Sequence, residues 1–193
     1  MSVIRAFVAI DLPNDVRHCL DKISSDLQSN MLGIPIRWVP VNNIHLTLKF
    51  LGDVSINNID VLKQILDSEV KSLIPFEISI GGIGAFPNLK RPRVIWISVE
   101  APSELLSLQR GIEAQTTRLG YRPDKRPFSA HLTLGRVSRN ANPRDVRQAG
   151  EVLNHKKVGF IGVARIASVH LYRSDLKPKG AVYSCLHTAT FGG

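Results

Sequence analysis

Residues 45–48 read His45-Leu46-Thr47-Leu48, and residues 131–134 repeat the same four as His131-Leu132-Thr133-Leu134. Each tetrad lies in a stretch with strand character, 44–51 in one case and 130–138 in the other. Successive side chains of a strand leave on opposite faces, so His45 and Thr47 share one face while Leu46 and Leu48 share the other. The leucines can enter a core. The histidine and threonine then stay on an open face, about 6–7 Å apart along the strand. A single histidine and threonine so placed are ordinarily structural, but two identical copies at equivalent places in the chain point to one site built twice.

On either side of the tetrads, strand and helix patterns alternate. Residues 3–10 read as a strand, and Val16, Leu20, Ile23 and Leu27 then recur at helical spacing after Pro13. A strand at 34–39 precedes the first tetrad, and Ile59, Leu62, Ile65 and Leu66 mark a second helix. Strands near 76–83 and 93–99 flank a loop around Phe86-Pro87-Asn88. In the second half, Leu105, Leu108, Ile112 and Leu119 outline a helix after Pro102. Asn142-Pro143 with Asp145 is a good helix start. Residues 158–173 and 181–190 read as closing strands around the turn Lys177-Pro178-Lys179-Gly180. The expectation is an α+β chain with mainly antiparallel sheets and an internal duplication, and no low-complexity linker separates the halves.

Composition narrows the class. The 193 residues are 44% hydrophobic, which fits an ordinary globular protein. Lys and Arg total 25 against 16 Asp and Glu, a formal charge of +9 that favours polyanionic partners such as nucleic acid. The charge is uneven: from Arg118 to Arg147 there are eight basic residues and only Asp124 and Asp145 against them. Cys19 and Cys185 fit no CxxC or metal spacing and read as reduced thiols. Arg5 and Asp11 interrupt the first apolar run, so it fails as a signal peptide, and no stretch approaches the roughly 20 apolar residues of a membrane span. A soluble cytoplasmic protein is expected.

Two histidines and two hydroxyls around one small cavity suit the opening of a cyclic phosphodiester. That reaction needs a base for the attacking water and an acid for the leaving oxygen, placed on opposite sides of phosphorus. Imidazole serves either role near neutral pH. Threonine hydroxyls can hold the non-bridging oxygens, where charge develops in the transition state. The scheme calls for no metal and no cofactor.

With these motifs in place, the chain resembles the RNA 2′,3′-cyclic phosphodiesterases, also called the 2′–5′ RNA ligase family, of the 2H phosphoesterase superfamily. The resemblance extends beyond the tetrads: to residues 5–13, to Arg37-Trp38-Val39-Pro40, to Gly84-Ala85-Phe86-Pro87, to residues 91–96, to Arg126-Pro127-Phe128 and to Leu171-Tyr172-Arg173-Ser174. It covers essentially the whole of 1–193. It implies one bilobal domain with a HxTx motif per half, two pseudo-twofold-related lobes and an active-site cleft between them. It also implies hydrolysis of RNA 2′,3′-cyclic phosphate ends to 2′-phosphomonoesters. By the same resemblance His45 is the proton donor, His131 the proton acceptor, and Thr47 and Thr133 hold phosphate oxygens.

Around these, Lys49 shares the expected face of His45 and is a candidate phosphate contact. Arg136 follows Gly135, where a bulge would turn it toward the cleft. Arg126 belongs to the basic stretch expected to bind substrate. Phe7 and Phe128 are candidates to stack on a base. His18, on an expected helix, and His155, in a polar stretch, read as surface residues, while His170 and His187 lack a matching threonine and read as structural. The expected partner is RNA with cyclic phosphate ends, tRNA fragments among the candidates, met by a monomer with no membrane association. Two alternatives stand beside hydrolysis: 2′–5′ ligation, the reverse chemistry, and a non-catalytic RNA-binding module. The latter leaves the doubled histidines without purpose and lacks a companion aromatic RNP1 pattern. No HExxH or GxSxG supports a metalloprotease-type or serine hydrolase.

Overall fold

Branched and aromatic residues dominate Val3–Ile10, and this run forms β1. The computed structural model describes residues 2–178 and 180–192. After β1 come α1 (Asn14–Asn30), β2 (Ile36–Trp38), β3 (Leu46–Ser55), α2 (Ile59–Val70), β4 (Phe76–Phe86) and β5 (Val94–Val99). Then follow α3 (Ser103–Arg118), β6 (His131–Val137), α4 (Pro143–His155), β7 (Phe160–Ile166), β8 (Ser168–Lys177) and β9 (Gly180–Thr190). The helices start where the sequence signals them. The Asn142 side chain accepts from the Asp145 backbone N–H at 2.9 Å, with Pro143 opening the first turn of α4. Helix α1 buries Val16, Leu20 and Leu27 along one stripe.

Among the described residues the strands form one sheet in the order β7-β4-β5-β6-β3-β1-β8-β9, with β2 paired to β6. Every pairing is antiparallel. Among the described residues the central strands β3 and β6 share only the rung Leu46↔Leu132, so the sheet divides there into a β7-β4-β5-β6 arm, which also carries β2, and a β3-β1-β8-β9 arm. Both arms mix the two halves of the chain: β2 and β4, from the first half, join the arm of β6 and β7, and β8 and β9, from the second half, join the arm of β1 and β3. Helices α2 and α3 pack on the β3-β1-β8-β9 arm, and α1 packs on β7 of the other.

Leu46, Leu48, Leu132 and Leu134 are all 0–2% exposed, as their alternation requires. Burying each contributes about 1.5–3 kcal/mol of transfer free energy. Other expectations need adjustment. The stretch 158–173 is not one strand but two, broken at Ala167 where the chain crosses from one arm to the other. Strand β4 runs on to Phe86, β2 is limited to Ile36–Trp38, and His45 stands immediately before β3 rather than inside it. The expected 177–180 turn includes Lys179, which lies outside the described residues; Lys177 and Gly180 pair across it. Among the described residues no helix is long and apolar enough to cross a membrane.

Candidate active site

The rung Leu46↔Leu132 brings the two tetrads together. Beyond that single rung the two strands part, with His45 lying just before β3 and His131 opening β6. Among the described residues neither threonine hydroxyl has a hydrogen-bond partner, and both side chains are only half-buried.

Past the second leucine, each strand bulges at the same place. In β3, Ala9 faces Thr47 but Val8 faces Lys49, so Leu48 is the extra residue. In β6, Trp96 faces Thr133 but Ile95 faces Gly135, and Leu134 is the extra residue. The alternation therefore reverses twice in the same way: Lys49 and Gly135 turn into the core, and Phe50 and Arg136 return to the open face. Gly135 has a packing reason to lack a side chain, since a Cβ there would stand 2.9 Å from the Trp38 ring. Past the bulge Arg136 thus stays on the exposed side.

Lys49 does not. It is 1% exposed, and its Nζ donates to Glu113 Oε1 at 2.9 Å and to the Arg122 carbonyl at 2.8 Å. Asp124 Oδ2 lies 3.6 Å away. Lys49 ties α3 to the loop that leads into His131, so the bulge converts an expected phosphate contact into an internal clamp. Phe7 also needs correction. At 3% exposure it offers no face to a base; it stacks beneath His45 with ring centroids 4.7 Å apart and planes 24° apart. Phe128 packs against the core and Arg126 is exposed on its loop; among the described residues neither is bonded to or stacked on a histidine.

Each catalytic candidate is held from behind by a carbonyl two residues earlier. His131 Nδ1–H donates to the Ser129 carbonyl at 2.7 Å, leaving Nε2 for the cleft. The Asn43 carbonyl accepts from the His45 ring. Burial among Phe7 and Tyr183 pulls His45 far below the ordinary imidazole value, to about 4, against the upward pull of the Asn43 carbonyl and Asp11. Burial lowers His131 too, with Arg136 adding to the effect and the Ser129 carbonyl opposing it. The Phe86 ring meets His131 edge-on at 5.0 Å, and Trp96 lies 6.4 Å away over Gly84, where a Cβ would stand 2.2 Å from the indole.

The sequence reading missed several neighbours. Tyr183 on β9 meets His45 edge-on at 5.3 Å and Phe7 at 4.9 Å. Tyr172 on β8 stacks on Phe7 at 5.4 Å and donates to Asp11 Oδ2 at 2.8 Å. Burial followed by that bond raises the Tyr172 phenol well above its ordinary value. Tyr172 entered the sequence reading only within the Leu171-Tyr172-Arg173-Ser174 resemblance, and nothing local ties either tyrosine to His45. His170, read as structural, lies 3.9 Å from Asp11 and bonds Thr188 at 3.0 Å.

An open face with paired His-x-Thr motifs, braced by backbone carbonyls and flanked by arginine, is the architecture of a phosphoesterase. The family described as LigT-like phosphoesterase matches residues 10–96 and again 97–183, and the chain belongs to that family. It is 35% identical over 181 residues to the RNA 2′,3′-cyclic phosphodiesterase of Methanothermobacter thermautotrophicus, covering 94% of this chain and 95% of that one. It is 37% identical to the protein of that name from Archaeoglobus fulgidus, with coverage of 95% and 98%. The fold superposes on the crystal structure of the protein TT0787 of Thermus thermophilus with a TM-score of 0.82, at 27% identity over 98% of this chain and 99% of that one. It also matches E. coli LigT complexed with 3′-AMP, with a TM-score of 0.78 at 24% identity and coverage of 100% of both chains.

Proposed function

We propose that this protein is an RNA 2′,3′-cyclic phosphodiesterase that opens cyclic ends to 2′-phosphomonoesters, with His45 and His131 as the acid–base pair. The observation that supports the reading is the single rung Leu46↔Leu132, which brings the two His-x-Thr motifs side by side. In this scheme His131 removes a proton from water as its oxygen bonds to phosphorus. The P–O3′ bond breaks on the far side, and His45 gives its proton to the departing O3′. Thr47 and Thr133 donate to the non-bridging oxygens, and Arg136 balances the charge gathering there.

The depressed histidines fit an anionic substrate. Both rings are neutral in the free protein near pH 7, which suits His131 as a base at once. A phosphodiester anion between them favours the charged imidazole and lifts His45 toward the protonated state that an acid requires. Because both motifs come from one chain, a monomer suffices; the free thiols Cys19 and Cys185 suit the reducing cytoplasm. Transfer RNA halves with cyclic ends are one such substrate.

The test is incubation with an oligonucleotide ending in a 2′,3′-cyclic phosphate, with products separated by end chemistry. A 2′-phosphate product supports the reading. An untouched cyclic end, or a 3′-phosphate product, overturns it.

A further inference from the structure

Three arginines gather at one end of the cleft, and the chemistry above uses only one of them. Arg37 on β2 and Arg136 on β6 are direct cross-strand partners, a like-charge pairing that is unfavourable unless an anion relieves it. Arg5 on β1 shares the face of Phe7, and its guanidinium lies 4.7 Å over the ring of Phe50. All three are exposed, and their charges act together on the Tyr183 hydroxyl, which reaches in from β9 beside His45. Among the described residues none of the three forms an ion pair. Asp53 opposes Arg5 in the ladder but does not come within ion-pair distance. Three unpaired guanidiniums beside a phenol form a receptor for a second anion, one strand spacing (about 4.8 Å) beyond Arg136.

We propose that Arg37, Arg5 and the Tyr183 hydroxyl bind the phosphodiester immediately upstream of the cyclic end, so that the protein selects RNA termini over free cyclic nucleotides. The inference rests on the cyclic phosphodiesterase reading and adds a substrate preference to it. Reaction at the terminal phosphate uses Arg136 and the histidines, and the upstream phosphate engages the other two arginines. Phe50, under Arg5, stays 44% exposed at the edge of this subsite.

The experiment compares three substrates with the wild-type protein: a dinucleotide ending in a 2′,3′-cyclic phosphate, the same dinucleotide with an uncharged methylphosphonate link, and a 2′,3′-cyclic mononucleotide. Losing a charged hydrogen bond should lower kcat/KM on the methylphosphonate about 10–100-fold, mainly through KM. Arg37→Gln and Arg5→Gln should each shrink that ratio toward one, and Arg37→Lys should restore part of it. Equal turnover of the two dinucleotides by the wild-type protein, which needs no folded variant, overturns the subsite. So does an undiminished ratio in Arg37→Gln. If the mononucleotide is opened in either case, the cyclic phosphodiesterase reading survives; if no substrate is opened, both fall.

Discussion

Leu46 and Leu132 face each other across β3 and β6 and, among the described residues, are the only rung joining the two arms of the sheet. Both are 0% exposed, so the residue that buries best also sets the mutual register of the two motifs. Leu46→Ala or Leu132→Ala should cost about 2–5 kcal/mol of stability, as core truncations do. Turnover should fall further than the loss of folded protein accounts for, because the histidines lose their common reference. Urea denaturation together with kcat per folded molecule separates the two effects.

His45→Ala and His131→Ala should each abolish measurable hydrolysis, with unchanged circular dichroism. Thr47→Ala or Thr133→Ala should lower kcat by about 10–1000-fold, in the range of a lost transition-state hydrogen bond. With a much better leaving group, His45→Ala should recover far more activity than His131→Ala, because departure then needs little protonation. Rescue favouring His131→Ala would exchange the two roles.

The pH dependence follows from the buried rings. Both imidazoles lie below their ordinary value in the free protein, one of them at about 4, so above pH 6.5 both are neutral. The proposed mechanism needs one of them charged. The alkaline limb of kcat/KM should therefore fall on the acid side of neutrality, with about a tenfold loss per further pH unit. In kcat, which reports the complex, the anion between the rings should move that limb to higher pH. A kcat/KM that stays flat through pH 8 would contradict the coupling. The limbs belong to the pair rather than to either ring.

Lys49→Ala should act on stability rather than on substrate binding. It leaves Glu113 and the Arg122 carbonyl without their buried cation, and breaking a buried pair costs on the order of 3 kcal/mol. A lysine that met phosphate would instead raise KM in a protein of normal stability. Thermal unfolding and KM, measured on the same preparation, decide between them.

The site was legible as far as alternation holds. His45, Thr47, His131 and Thr133 share the open face as read, and their leucines are buried. Reading failed at Lys49 because a bulge belongs to the pairing of two strands, and Leu48 carries no local mark of being the extra residue. Phe7 does lie on the open side of its strand, but His45 covers it, a relation between two strands that neither sequence displays. The break at Ala167 was invisible for a similar reason: no glycine or proline marks it, and the two strands differ only in their partners. Tyr172, within the Leu171-Tyr172-Arg173-Ser174 run, and Tyr183 arrive from the far end of the chain with nothing in the sequence that ties them to His45.

The exchange of strands between the two halves of the chain bears on how the molecule assembles. A chain cut near residue 96 would leave its first half holding β2 and β4 without β6 and β7, and its second half holding the β8-β9 pair without β1. The pairings that close the sheet join positions as distant as Ala6 and Arg173, so little of it can zip up locally. Folding should be slow and dominated by non-local encounters, with unpaired strand edges exposed until late. In return the two motifs are interlaced by the backbone itself, and separating the histidines requires undoing the sheet.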